Sequence, residues 1–332
     1  MKKLLAGFIS LFLVSMASGA AWADKDKDFV TDRDAAELFA TLPTNGPGFP
    51  EGIAADRAGN IYVATFDFST TNVIHIFGRN GHRRVTIPLP GVVPLGMEFD
   101  AAGNLYVADF GGGNVLKFSP PFTAASTPSA SFPVCGGQPN GCGLNAITFD
   151  AAGDLYVSDS FGGNIFKVDL PAGTSSTFFS DERLKPGDHA FPGFGANGLA
   201  FRGSHLYIAN TADDRVFRLD TETMALSSFA ESINGADGIV FDRHGRLWVA
   251  ANQNDEIVGV NENGRVFARL GDFKGIGKDG APKGLLFPAS LVIVGDELFV
   301  TNLALPLTSD PNDEQEDGVT RWTVSRVKLP HH

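Results

Sequence analysis

The stretch GADGIVFDRHGRLWVAANQNDEIVGV, residues 235–260, contains a short apolar strand, a tight turn, a second strand, a polar loop and a third strand. The same pattern recurs as GIAADRAGNIYVATF from residue 52, GMEFDAAGNLYVADFGGGNVLKF from 96, GLNAITFDAAGDLYVSDSFGGNIFKV from 143, GLAFRGSHLYIANTADDRVFRL from 198 and, in degenerate form, SLVIVGDELFVTN from 290. These six copies lie about 40 to 53 residues apart. A repeat of this period with several strands per copy predicts an all-β, six-bladed β-propeller.

The two ends of the repeat region indicate how the ring closes. The last copy lacks a fourth strand after residues 319–329, and the segment AELFATL at residues 36–42 stands before the first copy. We expect this N-terminal strand to complete the last blade, so that no sheet edge stays open. One propeller domain would then cover residues 36–330. The charged residues 24–35 are expected to be a flexible segment or to lie along the outside.

The N-terminus has the pattern of a secretory signal. Met1-Lys2-Lys3 precedes an apolar run from Leu4 to about Ala20, and Ala21 and Ala23 supply small residues before the charged DKDKD. This pattern predicts a signal peptide over residues 1–23 and a periplasmic or secreted mature protein. The alternative, a membrane anchor, is disfavoured because the run is shorter than the ~20 residues of a comfortable span.

The net charge indicates which classes of partner to expect, and the two cysteines indicate a disulfide. The formal net charge is −12, and nucleic acids and anionic membranes are both bound by basic surfaces, so neither is an expected partner. We expect a monomer that acts on a small molecule. In an oxidising compartment Cys135 and Cys142 are expected to form a disulfide, since no His or further Cys nearby supports a metal pair.

Three insertions interrupt the repeat, at residues 180–196, 271–289 and 304–318. The last, ALPLTSDPNDEQEDG, is acidic. We interpret it as a solvated loop, with a lid or an extra cation site as the alternative.

The residue before the first strand of each copy is the position of greatest chemical interest. Equivalent positions of a radial repeat lie at one height around the axis, so these six side chains should meet at one mouth of the channel. The six positions are Glu51, Leu95, Asn145, Asn197, Asp237 and Ser290. Two carboxylates and two amides offer oxygen donors that suit Ca²⁺, with another divalent cation possible, whereas Zn²⁺ and copper prefer His or Cys. The alternative is that Asn and Asp merely cap turns here.

The copies resemble the repeats of NHL propellers and of the SMP-30/gluconolactonase/LRE-like family. PEGIAAD, ANGLAF and ADGIVFDRHGRLWVA are similar to that family's metal-ligand motifs, and the resemblance covers about residues 40–329. It implies Glu51, Asn145, Asn197 and Asp237 as ligands of a catalytic calcium, as in the wider group that includes paraoxonases and diisopropylfluorophosphatase. Ala146 stands where the family usually has Gly, and the family's basic sugar-contacting residues have no clear match.

The resemblance implies a hydrolase that opens a lactone or related ester. The cation would stabilise charge on the carbonyl oxygen, and Asp237 or a water activated by the cation would act as base or nucleophile. Glu51, the other candidate catalytic residue, is expected to act mainly as a ligand. Further side chains could orient these ligands or could only start turns. They are Asp109, Asp159, Asn210, Asn252 and Asn302, with Ser290 touching the metal through water and His189 as a proton carrier.

Two other functions stay open. The chain could be a non-catalytic NHL-type propeller that binds a ligand or protein partner at its mouth, with calcium structural or absent. It could also be a lyase that acts on cyclic peptide esters, although no matching His/Glu set is apparent. Propellers carry all these activities, so the fold alone does not choose between them.

Overall fold

The computed structural model describes residues 29–44, 46–67, 69–135, 142–187, 193–306 and 315–330. The predicted signal peptide lies outside this part of the chain. The described residues contain strands and three single-turn 3₁₀ helices, Glu182–Leu184, Asn252–Asn254 and Glu316–Gly318. None of the described helices is long and apolar enough to cross a bilayer.

The strands follow the chain in blade order. The described chain starts with β1 (Val30–Asp32) and β2 (Ala36–Thr41). Blade 1 is β3 (Phe49–Ala55), β4 (Ile61–Phe66), β5 (Asn72–Phe77) and β6 (Arg83–Leu89). Blade 2 is β7 (Pro94–Phe99), β8 (Leu105–Asp109), β9 (Asn114–Phe118) and β10 (Ala130–Pro133). Blade 3 is β11 (Leu144–Phe149), β12 (Leu155–Asp159), β13 (Asn164–Asp169) and β14 (Thr174–Ser180).

The second half continues in the same way. Blade 4 is β15 (Ala196–Arg202), β16 (His205–Asn210), β17 (Arg215–Asp220) and β18 (Ala225–Glu231). Blade 5 is β19 (Ala236–Phe241), β20 (Leu247–Ala251), β21 (Glu256–Val260) and β22 (Val266–Leu270). A hairpin, β23 (Phe273–Ile276) and β24 (Pro282–Gly284), precedes blade 6, which holds β25 (Pro288–Val294), β26 (Glu297–Asn302) and β27 (Thr323–Lys328).

The N-terminal strand closes the ring as the sequence predicts. Strand β2 pairs antiparallel with β27, with Ala36 opposite Val327 and Thr41 opposite Thr323. Blade 6 therefore combines the two ends of the domain in one four-stranded sheet, and the six-bladed propeller is confirmed. The preceding segment was expected to be flexible or to lie along the outside. Residues 30–32 do the latter, since β1 adds a fifth, parallel strand to the outer edge of blade 5.

Aromatic side chains join consecutive blades. The tyrosine of the second strand in one blade packs against a phenylalanine at the end of the first strand in the next. The ring centroids are 4.9 Å apart for Tyr62 and Phe99, and 4.9 Å apart for Tyr207 and Phe241. Such buried edge-to-face pairs contribute about 0.5–1.5 kcal/mol beyond the area they bury. The phenylalanine-rich composition thus serves the interfaces between blades.

The six first strands form the wall of the central channel and contact one another in a closed cycle. Neighbouring first strands approach each other so closely that, at one position of the first strand in four blades, there is no room for a side chain. An added Cβ at this position would collide with the main chain of the next blade's first strand. This holds for Gly52, Gly96, Gly198 and Gly238. Small residues here are therefore a condition for closing the ring.

The described parts of the three insertions lie on one face of the propeller. Two connect a fourth strand to the next first strand, and the third connects the second and third strands of blade 6. The residues that follow the last insertion bind the insertion before blade 6, since the main-chain N–H groups of Thr320 and Arg321 both donate to the carbonyl of Gly280. Residues 307–314 of the acidic loop lie outside the described part of the chain.

The predicted disulfide is present. Cys135 and Cys142 are bonded, with their Cα atoms 6.0 Å apart. It closes the loop between β10 and β11, directly ahead of Asn145.

Replacing Gly198 by Ala should destabilise the protein by about 1–3 kcal/mol, because the new methyl group would meet the main chain of Asp237 and Ile239. Urea unfolding followed by tryptophan fluorescence would measure the change. Gly46→Ala is the control, since a Cβ at Gly46 meets nothing within 4 Å. Equal stability of Gly198→Ala and wild type would contradict the close packing of the first strands.

Candidate functional site

A repeated irregularity shapes the mouth of the channel. In every blade the pairing between the first and second strands shifts register near the start of the first strand, as between Pro50 and Ile53 or between Ala196 and Leu199. Two residues of the first strand there face one residue of the second, which is the arrangement of a β-bulge. Bulges re-aim side chains. In blades 1 to 5 the first of these two residues is the predicted ring position. The second is the position described above, which is Gly in four blades and Ala146 in blade 3.

The register changes one assignment of the sequence analysis. In blade 6 the shift lies between Pro288 and Leu291, so Ala289 occupies the ring position. Ser290 instead corresponds to Gly52 and Gly238. The repeat pattern does not reveal this position, because the degenerate last copy has no polar residue there. The main-chain N–H of Ser290 donates to Thr301 Oγ1 at 3.0 Å, so Ser290 is part of the wall.

Two carboxylates meet at the axis. Glu51 and Asp237 are 6% and 5% exposed. Burial, and after it the charge of Asp237, raises the pKa of Glu51 well above its ordinary range. Burial raises the pKa of Asp237 to about 7, although hydrogen bonds from Asn252, Asn197 and the main-chain N–H of Gly238 act in the opposite direction. Glu51 Oε2 and Asp237 Oδ1 have no hydrogen-bond partner.

The two ring asparagines are each held by a hydroxyl group from the loop after a second strand. Asn197 Nδ2 donates to Thr211 Oγ1 at 2.9 Å, and this hydroxyl donates to the carbonyl of Ala236 in the next blade at 2.9 Å. Asn145 Nδ2 donates to Ser160 Oγ at 3.3 Å, and Ser160 donates to the carbonyl of Ala196 at 2.7 Å. With the amide nitrogens held in this way, the amide oxygens are the atoms left for a ligand.

Asn252 occupies the position equivalent to Ser160 and Thr211 in blade 5. Its Nδ2 donates to Asp237 Oδ2 at 3.1 Å, and its own Oδ1 is buried without a partner. Asn252 was predicted from the sequence as a possible orienting residue, whereas Ser160 and Thr211 were not. A signal existed, because all three follow the last residue of a second strand by one position in their copies.

Four other candidates bind the main chain of nearby loops. Asp109 Oδ1 accepts from the N–H groups of Val93 and Gly112, at 3.0 and 3.1 Å. Asp159, Asn210 and Asn302 likewise bind loop main chain, at Gly143, Arg183 and Leu286. These contacts agree with the second interpretation given above, in which these residues start turns and do not orient the ligands. His189 lies outside the described residues.

The donor set fits a hard divalent cation. Three buried oxygens without hydrogen-bond partners, on Glu51, Asp237 and Asn252, belong to side chains at the axis, beside the amides of Asn145 and Asn197. Two carboxylates and neutral oxygens are the mixture that Ca²⁺ accepts. Among the described residues no group of three or more His, Cys, Asp and Glu side chains could hold a metal ion. The ring set contains no His or Cys, so it is unsuited to metals that need nitrogen or sulfur ligands.

A cavity of about 630 Å³ lies beneath the ring and opens on the opposite face. Gly96, Gly198 and Gly238 line it at the ring, and Arg57 and Arg243 line its far end. Glu98 lines this cavity, and its side chain is exposed there. Partial desolvation by the surrounding channel wall raises the pKa of Glu98 to about 7, opposed by the main-chain N–H of Phe99. The ring carboxylates do not line the cavity, so the candidate site is the other mouth.

Comparison with known proteins supports the fold. No family model matches the chain, and no curated protein matches its sequence. Solved structures do match. Regucalcin from Agrobacterium tumefaciens, described as a calcium-binding protein, has 17% identity and a TM-score of 0.64, over 91% of this chain and 97% of that one. A luciferin-regenerating enzyme has 16% identity and a TM-score of 0.63, over 89% and 95%.

A third match is virginiamycin B lyase from Staphylococcus aureus, with 14% identity and a TM-score of 0.56, over 89% of this chain and all of that one. The chain has the fold of the SMP-30/gluconolactonase/LRE-like propellers. These matches confirm, for the fold, the resemblance found in the repeats. Identities this low carry no residue roles, so the chemistry of the site rests on its own contacts.

Replacing Thr211 by Val should weaken divalent-cation binding about 10- to 100-fold, because the amide of Asn197 loses the hydroxyl that orients it. Calorimetric titration of Ca²⁺ into chelator-treated protein measures this. Thr211→Ser keeps the hydroxyl and should bind as wild type does. If Thr211→Val bound Ca²⁺ as tightly as Thr211→Ser, the hydroxyl would have no positioning role.

Proposed function

We propose that this chain is an exported, calcium-dependent hydrolase that opens a lactone or related ester at the mouth of the propeller. The observation that carries the proposal is the meeting of Glu51 and Asp237 in one buried space, each with an oxygen that lacks a hydrogen-bond partner. Two like charges in a buried space are costly unless a cation or a proton compensates them.

Five side chains would hold the cation or the groups around it. Glu51, Asn145, Asn197 and Asp237 would be its protein ligands, and Asn252 would hold Asp237 in place through the 3.1 Å hydrogen bond. Four protein ligands are fewer than the six to eight oxygens that Ca²⁺ takes, so substrate and water can complete the coordination. When bound, the cation would stabilise negative charge that develops on the carbonyl oxygen of the substrate.

Asp237 is the proposed base. Its Oδ2 is held by Asn252, while Oδ1 lacks a partner and is free to accept a proton from an attacking water. Without a bound cation, burial raises the pKa of Asp237 to about 7. A bound cation would lower this pKa and keep the carboxylate in the ionised form, which is the form that can accept a proton. Glu51 has no comparable hydrogen bond among the described contacts, and its role is to supply charge to the site.

Export is part of the proposal. The disulfide between Cys135 and Cys142 suits an oxidising compartment, and the sequence of residues 1–23 has the pattern of a cleaved signal.

The lyase alternative receives less support. None of the histidines in the described part of the chain, at positions 75, 82, 205 and 244, belongs to the ring or to the loops that bind it. His75 is buried in β5, where Nδ1 lies 3.0 Å from Thr86 Oγ1.

Asp237→Asn should lower kcat/KM for lactone hydrolysis at least about 100-fold, because it removes both the base and one charge of the cation site. A panel of lactones and esters, assayed by pH-stat with Ca²⁺ and with chelator, would measure the loss. Chelation should abolish turnover by wild type.

Asp109→Asn is the matched control, since Asp109 is buried to the same degree, 4% exposed against 5%, but binds a turn. It should keep both activity and calcium binding. A wild-type protein that binds no divalent cation would contradict the hydrolase proposal and would favour a propeller that binds a ligand or protein partner.

A further inference from the structure

The mouth around the carboxylates has an apolar side. Phe66, Leu95, Ala289 and Leu303 form a buried cluster against which Phe110 and several other apolar residues pack. Leu95 and Ala289 are ring positions of blades 2 and 6. Phe110 and Leu303 directly follow the second strands of blades 2 and 6. Phe66 is the last residue of β4 but holds the equivalent position in blade 1, because Pro50 pairs with Thr65 as Pro94 pairs with Asp109.

The fold itself does not require apolar residues at these positions. In blades 3, 4 and 5 the position after the second strand is Ser160, Thr211 or Asn252, and each binds a ring side chain. The ring position in the same three blades is Asn145, Asn197 or Asp237. The mouth is therefore divided, with polar groups from three consecutive blades on one side and apolar groups from the other three on the opposite side, interrupted by Glu51.

Three phenylalanines extend this apolar surface from Phe110 in blade 2 to Phe161, after the second strand of blade 3, and to Phe194, just ahead of blade 4. The ring centroid of Phe110 lies 5.5 Å from that of Phe161 and 6.4 Å from that of Phe194, and Phe161 and Phe194 are 5.7 Å apart. Phe161 directly follows Ser160, which holds Asn145. It is 44% exposed, although large aromatic side chains are usually covered. The exposed phenyl group of Phe161 is held in place by Phe110 and Phe194. Because it lies beside the polar side chains of the mouth, it is suited to cover an apolar ligand.

We propose that the substrate is a lactone or ester with an apolar alkyl or aryl substituent, which lies on this apolar wall while the carbonyl group faces the polar side. The apolar wall is defined as Phe66, Leu95, Phe110, Phe161, Phe194 and Leu303. This inference rests on the proposed function, since it concerns the same mouth. A polyhydroxylated sugar lactone fits poorly, because the wall's side chains offer its hydroxyl groups no hydrogen-bond partner.

The apolar wall predicts that the affinity for the substrate depends on the length of its alkyl substituent. Each buried methylene should strengthen binding about fourfold, as expected for its removal from water. A hydroxyl buried without a partner should weaken binding about tenfold or more.

The test uses γ-butyrolactones with unbranched alkyl substituents of zero to six carbons at the ring carbon next to the ring oxygen, compared with gluconolactone. For wild type, kcat/KM should rise with chain length and should exceed the value for gluconolactone. Phe161→Ala should lower kcat/KM for the hexyl compound about tenfold and for the unsubstituted lactone less than twofold. Phe178→Ala is the matched control. Phe178 lies in the outermost strand of blade 3 and packs on Tyr156, away from the mouth, so its substitution should not change kcat/KM for either lactone.

A second measurement separates this inference from the proposed function. The corresponding lactams resist hydrolysis, and calorimetry in the presence of Ca²⁺ measures their binding without any turnover. Lactam affinity that rises with chain length and loses this dependence in Phe161→Ala would support the apolar wall even if no lactone were hydrolysed. Affinity independent of chain length, no lactam binding, or turnover of gluconolactone at least equal to that of the hexyl lactone would overturn it.

Discussion

The close approach of the six first strands around the axis is the constraint on which the rest of the structure depends. Main chain packs against main chain at this point, which is why Gly52, Gly96, Gly198 and Gly238 have no room for a Cβ. The register shift at each of these positions turns the preceding residue toward the mouth. One packing requirement thus explains both the small residues and the ring of side chains above them.

The same approach creates an electrostatic problem that a cation would resolve. Glu51 and Asp237 are distant in sequence, but closure of the ring brings blades 1 and 5 to a common axis. The hydroxyl groups of Thr211 and Ser160 then fix the ring amides of their own blades. The same hydroxyl groups also donate to carbonyls of the following blade and so connect the two blades. The contacts that hold the ring closed are therefore the contacts that orient the proposed ligands.

Much of this arrangement could be predicted from the sequence, because a radial repeat places equivalent residues at equivalent positions. The six blades, the closing strand from residues 36–41 and the convergence of Glu51 with Asp237 all follow from the repeat. The position of Ser290 was wrongly predicted, because the last copy diverges and its register depends on a bulge that a sequence pattern does not reveal. Ser160 and Thr211 were missed because an isolated hydroxyl residue after a strand is usually interpreted as part of a turn.

The division of the mouth into polar and apolar sides also depends on the three-dimensional ring. In the sequence, Leu95 and Phe110 are ordinary apolar residues of a β protein, and their proximity to two carboxylates becomes evident only when the blades are assembled. An apolar wall beside a charged ring joins two functions in one opening, since one side can hold a substituent while the other stabilises charge.

The central claim, that Glu51 and Asp237 share a divalent cation, is tested most directly by anomalous diffraction from crystals of the mature protein grown with Mn²⁺ in place of Ca²⁺. We expect one strong anomalous peak on the channel axis, within coordination distance of both carboxylates and of the Asn145 and Asn197 amide oxygens. A peak at another position, or no peak at the ring when both carboxylates are ordered, would contradict the cation site.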